Sequence, residues 1–287
     1  MHLTGVGRRA IWKPDRVRIA TWNVNSLSAR LPRLLEWLAQ VQPDVLCLQE
    51  IKMDSVDVPR EELAALGYEI EAYGIGRWNG VAICSRVGIT DVRRGLFDEP
   101  EYQSEVARVP EVEPRAIAAT CGGLRLLTVY VPNGRGIDDP HYQYKLQWFA
   151  ALRDTAAREL VDHPDLVVLG DFNVVPTDAD VWDVTQLHGG THATEPERAG
   201  LRAILDVGLI DVRPRALKYD IPYTYWDYRA GMFHKNLGIR IDLVLATPRI
   251  ADSVTDAYVD REARKGTAKS GKGPSDHAPI VVDLDRG

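Results

Sequence analysis

Short apolar runs that end in polar residues recur along this chain of 287 residues. The clearest run, residues 166–169, holds only leucine and valine and is followed by Gly170, Asp171, Phe172 and Asn173. A short apolar run bounded by turn residues indicates a strand buried on both faces. Asp171 and Asn173 lie two positions apart, so their side chains share a side if the chain stays extended. An Asx turn after a core strand is an equally good interpretation of this segment alone.

Four other predicted strands carry polar residues at one end in the same way. They cover residues 17–25, 43–50, 124–131 and 240–246, and a further strand is predicted at 279–283. If these ends meet at one edge of the sheets, they bring together carboxylates, carboxamides, one phenol and one imidazole. The residues concerned are Asn23, Asn25, Glu50, Tyr130, Asp171, Asn173, Asp242, Asp276 and His277.

Helical periodicity separates several of these strands. Apolar residues recur at intervals of three and four in residues 26–40 and 142–161, and shorter helices are predicted at 59–66 and 194–208. The inward face of the long helix is predicted to carry Leu146, Phe149, Leu152 and Ala156.

The middle of the chain favours a meander of strands between turn residues. These strands are predicted at 68–73, 80–85, about 105–109, 114–120 and 124–131. No linker is long or polar enough to divide the chain. We therefore predict an α/β fold with mixed, mainly antiparallel sheets covered by helices. Residues 16–287 would form one catalytic domain, and residues 1–15 would be a flexible extension.

Composition narrows the class of protein. The chain is 45% hydrophobic and 26% charged, which is ordinary for a globular protein. No apolar run approaches the roughly 20 residues of a membrane span. Three distant cysteines, Cys47, Cys84 and Cys121, do not predict a disulfide framework, so a reducing cytoplasm is expected. The net charge of −6 argues against a general polyanion binder, although a local basic patch or a bound metal can still attract phosphate.

The polar strand ends also predict a type of chemistry. Several carboxylates that lie close together cannot all stay ionised unless a cation shares them. Oxygen ligands without cysteine suit Mg²⁺, with Mn²⁺ as a substitute, better than Zn²⁺. Such an ion acts on phosphate esters, an aspartate can accept a proton from water, and a second aspartate can orient a histidine.

Six sequence motifs follow one another along the chain. They are Trp22-Asn23-Val-Asn25, Leu48-Gln-Glu50-Ile-Lys52, Tyr130-Val-Pro-Asn-Gly, Gly170-Asp171-Phe-Asn173, Arg240-Ile-Asp242 and Ser275-Asp276-His277. In these motifs and their order the chain resembles the exonuclease III family of apurinic/apyrimidinic endonucleases, within the endonuclease/exonuclease/phosphatase superfamily, over residues 17–284. The resemblance implies a four-layer α/β sandwich, with two mixed sheets packed face to face and helices outside.

The resemblance also implies roles for the residues of these motifs. Glu50 would be the main metal ligand with Asn23 beside it, and Asp276 would lie near the metal. Asn25 stands where some members have aspartate, so it is a further candidate ligand.

The catalytic roles follow from the same resemblance. Asp171 would activate water, and Asn173 would hold the water and the phosphate. His277, oriented by Asp242, would contact the phosphate. Tyr130 would donate to the phosphate or act on it as a phenolate.

Further residues, most of them outside these motifs, are candidates for DNA contact. The resemblance implies a small apolar pocket for a sugar without its base, with candidate walls Tyr225, Trp226, Ile239 and Ile241; Trp226 is an equally good core residue. Ile239 replaces a bulkier aromatic residue of some members, which suggests a looser pocket. A basic loop at 261–272 either follows the DNA backbone or is simply solvated. Candidate DNA-binding side chains are Lys52, Arg77, Trp78, Asn79, Arg135, Arg229 and Lys235.

The leading hypothesis is a Mg²⁺-dependent base-excision-repair phosphodiesterase. It would cut double-stranded DNA 5′ to abasic sites, leave a 3′-hydroxyl, and act as a 3′→5′ exonuclease and 3′-phosphatase at blocked 3′ ends. We expect a monomer that does not bind membranes. The alternatives are another metal-dependent phosphoesterase of the superfamily, such as a nonspecific nuclease or an inositol-phosphate phosphatase, and an inactive DNA-binding scaffold.

Overall fold

The computed structural model of the chain describes residues 15–103, 109–266 and 273–287. Three predicted segments therefore lie wholly or partly outside the described residues: the extension at 1–15, the strand at about 105–109 and the basic loop at 261–272. The three cysteines are buried free thiols, as predicted. Among the described helices, none combines the length and the apolar character that a membrane crossing requires.

The described residues form thirteen strands and six α-helices. The strands are β1 Arg16–Asn23, β2 Val45–Gln49, β3 Glu69–Tyr73, β4 Val81–Ser85, β5 Thr90–Arg94, β6 Ala116–Cys121, β7 Leu124–Tyr130, β8 Leu166–Asp171, β9 Ile210–Asp211, β10 Arg215–Ala216, β11 Asp242–Ala246, β12 Val254–Val259 and β13 Ile280–Asp285. The helices are α1 Leu27–Val41, α2 Arg60–Ala64, α3 Pro140–Asp162, α4 Glu195–Leu205, α5 Met232–Lys235 and α6 Pro248–Asp252.

The strands form two mixed sheets. One has seven strands in the order β10-β12-β13-β1-β2-β4-β3, and the other has six in the order β5-β6-β7-β8-β11-β9. Most neighbouring pairs are antiparallel, but the edge pair β10–β12 and the central pairs β1–β2 and β7–β8 are parallel. The carboxyl ends of two parallel strands lie at the same edge of a sheet. Each sheet therefore gathers the residues that follow its central parallel pair at one edge.

Successive side chains of a strand point to opposite faces of its sheet, and this alternation builds the layers. In β8, Val167 and Leu169 join the core shared by the two sheets, while Leu166 and Val168 pack against α3 and α4. Residues 46 and 48 of β2 pack in the same way against α1, on the outer face of the other sheet. Helices thus cover both outer faces, which agrees with the predicted four-layer sandwich.

The structure differs from the sequence-based prediction at several elements. Strands β5, β9, β10 and β12 were not predicted, because they are very short or mix charged and apolar residues without clear alternation. In α3, Leu146 was predicted to face inward, but the buried residue at that level is Lys145. A lysine therefore occupies a position of the helix where an apolar side chain is expected.

Candidate active site

Three polar side chains form one row across the six-stranded sheet. Tyr130 at the end of β7 pairs with Asp171 on β8, which pairs in turn with Asp242 at the start of β11. The row continues the alternation of Val167 and Leu169, so the three side chains face the space between the sheets at its open end. The register of the strands therefore explains why these three polar strand ends meet, as the sequence predicted.

The backbone at position 170 requires a glycine. Its φ is +143°, and an added Cβ would lie 2.1 Å from the carbonyl oxygen of Val129 on the neighbouring strand. Only glycine tolerates that approach. Close contact between β7 and β8 brings Tyr130 and Asp171 side by side.

The seven-stranded sheet supplies the opposite side of the site. Asn23 ends β1 on its inward face, and Glu50 follows β2 with a left-handed φ of +52°. Beneath them, Gln49 Nε2 donates to Thr21 Oγ1 at 2.9 Å and, across the two sheets, to Thr128 Oγ1 at 2.8 Å. This polar layer between the apolar core and the site was not predicted, because Gln49 was assigned only to the family motif.

His277 lies between two aspartates. Its Nδ1 is 2.8 Å from Asp242 Oδ2, and its Nε2 is 3.8 Å from Asp171 Oδ2. Burial lowers the pKa of His277, but the charges of Asp242 and Asp171 and the hydrogen bond to Asp242 outweigh it and raise the pKa to about 10. The imidazole is therefore a cation at neutral pH, and Asp242 orients it.

Asp171 is held by two donors and surrounded by negative charge. Its Oδ1 accepts from the Asn173 N–H at 2.9 Å, and its Oδ2 accepts from Asn23 Nδ2 at 2.9 Å. Burial, together with Asp242 and Glu50, raises the pKa of Asp171 to about 7 although His277 opposes the shift. A carboxylate with that pKa can take up and release a proton near neutral pH.

Glu50 is stabilised in its charged form. Lys52 Nζ lies 2.8 Å from Glu50 Oε2, and Asn23 Nδ2 donates to Glu50 Oε1 at 2.8 Å. Burial raises the pKa of Glu50, but the charge and hydrogen bond of Lys52 outweigh it, so the pKa lies below its usual value. Lys52 was predicted to contact DNA; in the structure its ammonium belongs to the carboxylate cluster.

Tyr130 keeps its proton. Burial, and then the negative charge of Glu50, raise the pKa of its hydroxyl well above the usual value. The Arg115 guanidinium lies 4.8 Å from the ring centroid, and its Nε is held by Glu113 Oε2 at 2.7 Å. Of the two roles left open for Tyr130, the shifted pKa favours hydrogen-bond donor over phenolate.

The site can hold a metal ion. Glu50, Asp171 and His277 each offer a ligand atom, and these atoms lie within 4.8 Å of one another. Because His277 is protonated, the two carboxylates are the groups whose chemistry fits a cation, and oxygen ligands suit a hard divalent ion. A buried oxygen of Asp242, Oδ1, has no hydrogen-bond partner and adds to the negative field.

The other predicted ligands are arranged differently. Asn23 Oδ1 accepts from the Asn25 N–H at 3.0 Å, so its amide nitrogen faces Glu50. Asn25 Oδ1 accepts from Lys52 Nζ at 2.6 Å, and Asn25 Nδ2 donates to Asp276 Oδ1 at 3.0 Å. Both amide oxygens are therefore engaged, and Asp276 is not one of the three clustered groups.

Asn173 is surrounded by residues that the sequence did not single out. Its Oδ1 accepts from Asn133 Nδ2 at 3.3 Å, and its Nδ2 donates to the Val131 carbonyl at 2.9 Å. Its own carbonyl is 2.6 Å from His192 Nδ1. Asn133 lies inside a motif quoted for the resemblance, but His192 lies in a loop without any regular pattern that could have revealed it.

Comparisons with known proteins identify the family. A model described as the "Endonuclease/Exonuclease/phosphatase family" matches residues 20–277. The chain belongs to this family. Exodeoxyribonuclease III of Haemophilus influenzae is 28% identical over 279 residues, which cover 93% of this chain and all of that protein (100%). The predicted family and enzyme class, a nuclease of the exonuclease III type, are confirmed.

Two solved structures of similar proteins confirm the fold class. The 3′ phosphatase NExo from Neisseria, bound to a product DNA hairpin, is 40% identical, with a TM-score of 0.85 and coverage of 94% of this chain and 99% of that chain. An AP endonuclease from Archaeoglobus fulgidus is 36% identical, with a TM-score of 0.82 and coverage of 94% and 99%.

The candidate DNA contacts of this family member differ in whether their side chains are already paired. Trp78 is 73% exposed, and Arg77, Arg135 and Lys235 are exposed as well. Arg229 is also exposed, but its guanidinium forms an ion pair with Asp227 at 2.6 Å. A free basic side chain attracts phosphate more strongly than one already paired.

Asn79 connects the candidate contacts to the site. Asn79 Nδ2 donates at 2.9 Å to Glu113 Oε1, whose other oxygen holds Arg115 beside Tyr130. Arg135 lies 5.9 Å from the centroid of the Tyr102 ring. These contacts leave the role of each residue in DNA binding a prediction.

The four candidate pocket walls fall into two groups. Ile239 and Ile241 form a small apolar cluster with Val175 and Val181, and Tyr225 packs against it, with its ring centroid 4.9 Å from that of His277. Trp226 is only 1% exposed and lies in the main core. Trp226 is thus a core residue, the alternative that the sequence left open.

Two arginines at the beginning of the basic loop are less exposed than their charge suggested. Arg261 and Arg264 are buried, and their guanidiniums lie 3.8 Å and 5.0 Å from the ring centroid of Phe233. Arg261 Nη2 donates to the Phe233 carbonyl at 2.6 Å. The beginning of the predicted backbone-binding loop therefore packs on aromatic side chains, and residues 267–272 are not described.

Proposed function

We propose that the chain is a Mg²⁺-dependent DNA repair phosphodiesterase that cuts 5′ to abasic sites and leaves a 3′-hydroxyl. The observation that carries this proposal is the cluster of Asp171, Asp242 and His277 facing Glu50. It combines a carboxylate that titrates near neutral pH, an oriented cation and a carboxylate that is charged at neutral pH in one site. Such a set suits hydrolysis of a phosphate diester.

In this proposal each residue has one task. Glu50 would hold the ion; Mn²⁺ would substitute for Mg²⁺. When bound, the ion supplies charge neutralisation of the phosphate and stabilisation of the leaving alkoxide. Asp171 would take the proton of the attacking water. His277 and Tyr130 would donate hydrogen bonds to phosphate oxygens, where negative charge develops.

The proposed substrate is duplex DNA with an abasic site or a blocked 3′ end. The apolar cluster of Ile239 and Ile241 beneath Tyr225 has the chemistry of a small pocket for a sugar without its base. Exposed Arg77, Trp78 and Lys235 would contact the backbone. We propose residues 16–287 as a single catalytic domain that works as a cytoplasmic monomer, in keeping with three reduced, buried thiols.

A second candidate activity is removal of a 3′-phosphate. The solved 3′ phosphatase is 40% identical to this chain, and the solved AP endonuclease is 36% identical. The same metal and the same Asp171 would serve, because both reactions attack a phosphorus atom with water. The two activities would differ in the phosphate that is attacked. In incision the phosphate joins two nucleotides, whereas in the phosphatase reaction it is the terminal group at a 3′ end.

One set of substrates tests both activities. The chain is incubated with a duplex holding one stable abasic analogue, a nicked duplex ending in 3′-phosphate, and an undamaged duplex, each with Mg²⁺ or EDTA. Incision beside the analogue only with Mg²⁺ supports the leading proposal. Phosphate release without incision makes the second activity the main one. Cutting all duplexes equally would indicate a nonspecific nuclease, and binding without reaction would indicate a scaffold.

A further inference from the structure

A fully buried lysine lies behind the catalytic row. Lys145 is on α3, on the same face as the core residues Phe149, Leu152 and Ala156, and its side chain is 0% exposed. Its partner is Glu197 on α4, also 0% exposed, at 2.5 Å. A buried ion pair is often no more stabilising than apolar residues of similar volume. Fold stability alone therefore does not explain why charges occupy these two core positions.

The ammonium of Lys145 reaches the main chain of two loops at the site. It donates to the carbonyl oxygens of Asn173 at 2.7 Å and Asn133 at 3.1 Å, and to Thr191 Oγ1 at 3.0 Å. These loops follow β8 and β7, the strands that end in Asp171 and Tyr130. An apolar side chain cannot make these contacts.

The Glu197 carboxylate holds a third loop. It accepts from the His192 N–H at 2.9 Å and from the Thr194 N–H at 3.0 Å, and it contacts the Thr191 hydroxyl. His192 Nδ1 then lies 2.6 Å from the Asn173 carbonyl, which also accepts from Lys145. One ion pair thus joins the three loops, and two of them also meet at the Asn173 carbonyl oxygen.

The joined loops have conformations that need support. Asn173 has a φ of +50° and His192 a φ of +83°, both in the left-handed region. Such conformations persist only when their surroundings hold them. Packing is also close, because a Cβ on Gly134 would lie 2.7 Å from Thr191 Oγ1 and 3.2 Å from Lys145 Cδ.

The path from the ion pair to the site is short. Asn173 donates its N–H to Asp171 Oδ1 at 2.9 Å, and its side chain accepts from Asn133 at 3.3 Å. We propose that Lys145 and Glu197 are positioning residues, which fix Asn173, Asn133 and His192 so that Asp171 and Asn173 meet the substrate in reactive geometry. This inference rests on the proposed phosphodiesterase function.

Removal of the ammonium tests the inference. In Lys145→Met the side chain stays unbranched and keeps most of its length, but it donates no hydrogen bond. We expect kcat on the abasic duplex to fall about 10- to 100-fold, because small misplacement of catalytic groups has effects of that size. The KM for DNA and the Mg²⁺ dependence should change little, since neither the DNA-contact candidates nor Glu50 is touched.

The double variant Lys145→Met with Glu197→Gln separates positioning from stability. It removes both charges, so no unpaired charge is buried and the melting temperature should recover relative to either single variant. If the pair positions the loops, kcat stays low while the melting temperature rises. If kcat recovers together with the melting temperature, the pair is only structural and the inference is wrong.

A matched control lies on the same helix. Glu159→Gln weakens the buried Arg125–Glu159 pair, whose side chains are each 4% exposed and whose closest atoms are 2.7 Å apart. This pair touches none of the three loops. We expect a lower melting temperature but an unchanged kcat, and a loss of kcat equal to that of Lys145→Met would overturn the inference.

Hydrogen exchange keeps the test independent of activity. In the native chain the N–H groups of Asn173, Val175 and His192 donate to Asp171, to the His192 carbonyl and to Glu197. These amides should exchange faster in Lys145→Met and in the double variant, but not in Glu159→Gln. If the wild-type chain cuts no DNA, the proposed function fails, and unchanged exchange in the variants would separately refute the positioning role.

Discussion

Two carboxylates from opposite sheets face each other in the site, and their environments shift their pKa values in opposite directions. Burial raises the pKa of both. At Glu50 the nearby Lys52 and Asn23 outweigh burial, and the pKa falls below its usual value. At Asp171 the charges of Asp242 and Glu50 add to burial, and the pKa rises to about 7. The difference comes from neighbours, since both side chains are carboxylates.

This difference divides the work of the site. A pair of titratable groups with pKa values pushed apart indicates which group stays charged and which exchanges protons. Glu50 keeps its negative charge over the physiological range, which suits a metal ligand. Asp171 can hold or release a proton near pH 7, which suits the base that activates water. Four substitutions test this division, from the largest expected effect to the smallest.

Asp171→Asn should have the largest effect. The amide keeps the shape of the carboxylate but cannot accept a proton from water. We expect kcat to fall by about 10²- to 10⁴-fold, the usual contribution of a general base, while DNA affinity is retained. Single-turnover incision and a binding titration measure the two quantities. Turnover close to that of the wild type would show that another group is the base.

Glu50→Gln should act through the metal. Loss of one unit charge beside a divalent ion removes a few kcal/mol of attraction, so the Mg²⁺ concentration for half-maximal activity should rise about 10- to 100-fold. Excess Mg²⁺ should restore part of the activity, which it should not do for Asp171→Asn. A Mg²⁺ titration of both variants checks this contrast. An unchanged midpoint for Glu50→Gln would remove Glu50 from the ligand set.

Asp242→Asn should move the pH profile. In the wild type, activity should rise as Asp171 loses its proton at a pH of about 7 and fall as His277 loses its proton at about 10. Asp242 raises both pKa values, so its neutralisation should shift both limbs to lower pH. The shift is measured on the bell-shaped profile of kcat/KM, recorded from about pH 5 to about pH 11 so that both limbs are covered. Limbs that stay in place would disprove the role of Asp242.

The sequence predicted the catalytic row because each of its residues lies at the end of an apolar run. Asp171, Tyr130 and Asp242 each lie at one end of a strand whose apolar residues are visible in the sequence. Lys145 and His192 were not predicted, because one looks like a solvated helix residue and the other lies in an irregular loop. Trp226 and Lys52 show a further limit: residue type suggested DNA contact for both, but burial and a neighbouring carboxylate decide where each side chain lies.

The effect of Lys52→Met on activity should be the smallest of the four and should depend on pH. Without the ammonium 2.8 Å away, the pKa of Glu50 should rise toward or above its usual value. Activity should then fall relative to the wild type at the acidic end of the profile, where Glu50 takes up a proton more readily, and change little at pH 8, where it remains charged. The matched control is Arg86→Met, which removes a cation from the distant pair with Asp44. An equal loss at both pH values, or a loss that appears as weaker DNA binding, would instead support the contact with DNA that the sequence suggested for Lys52.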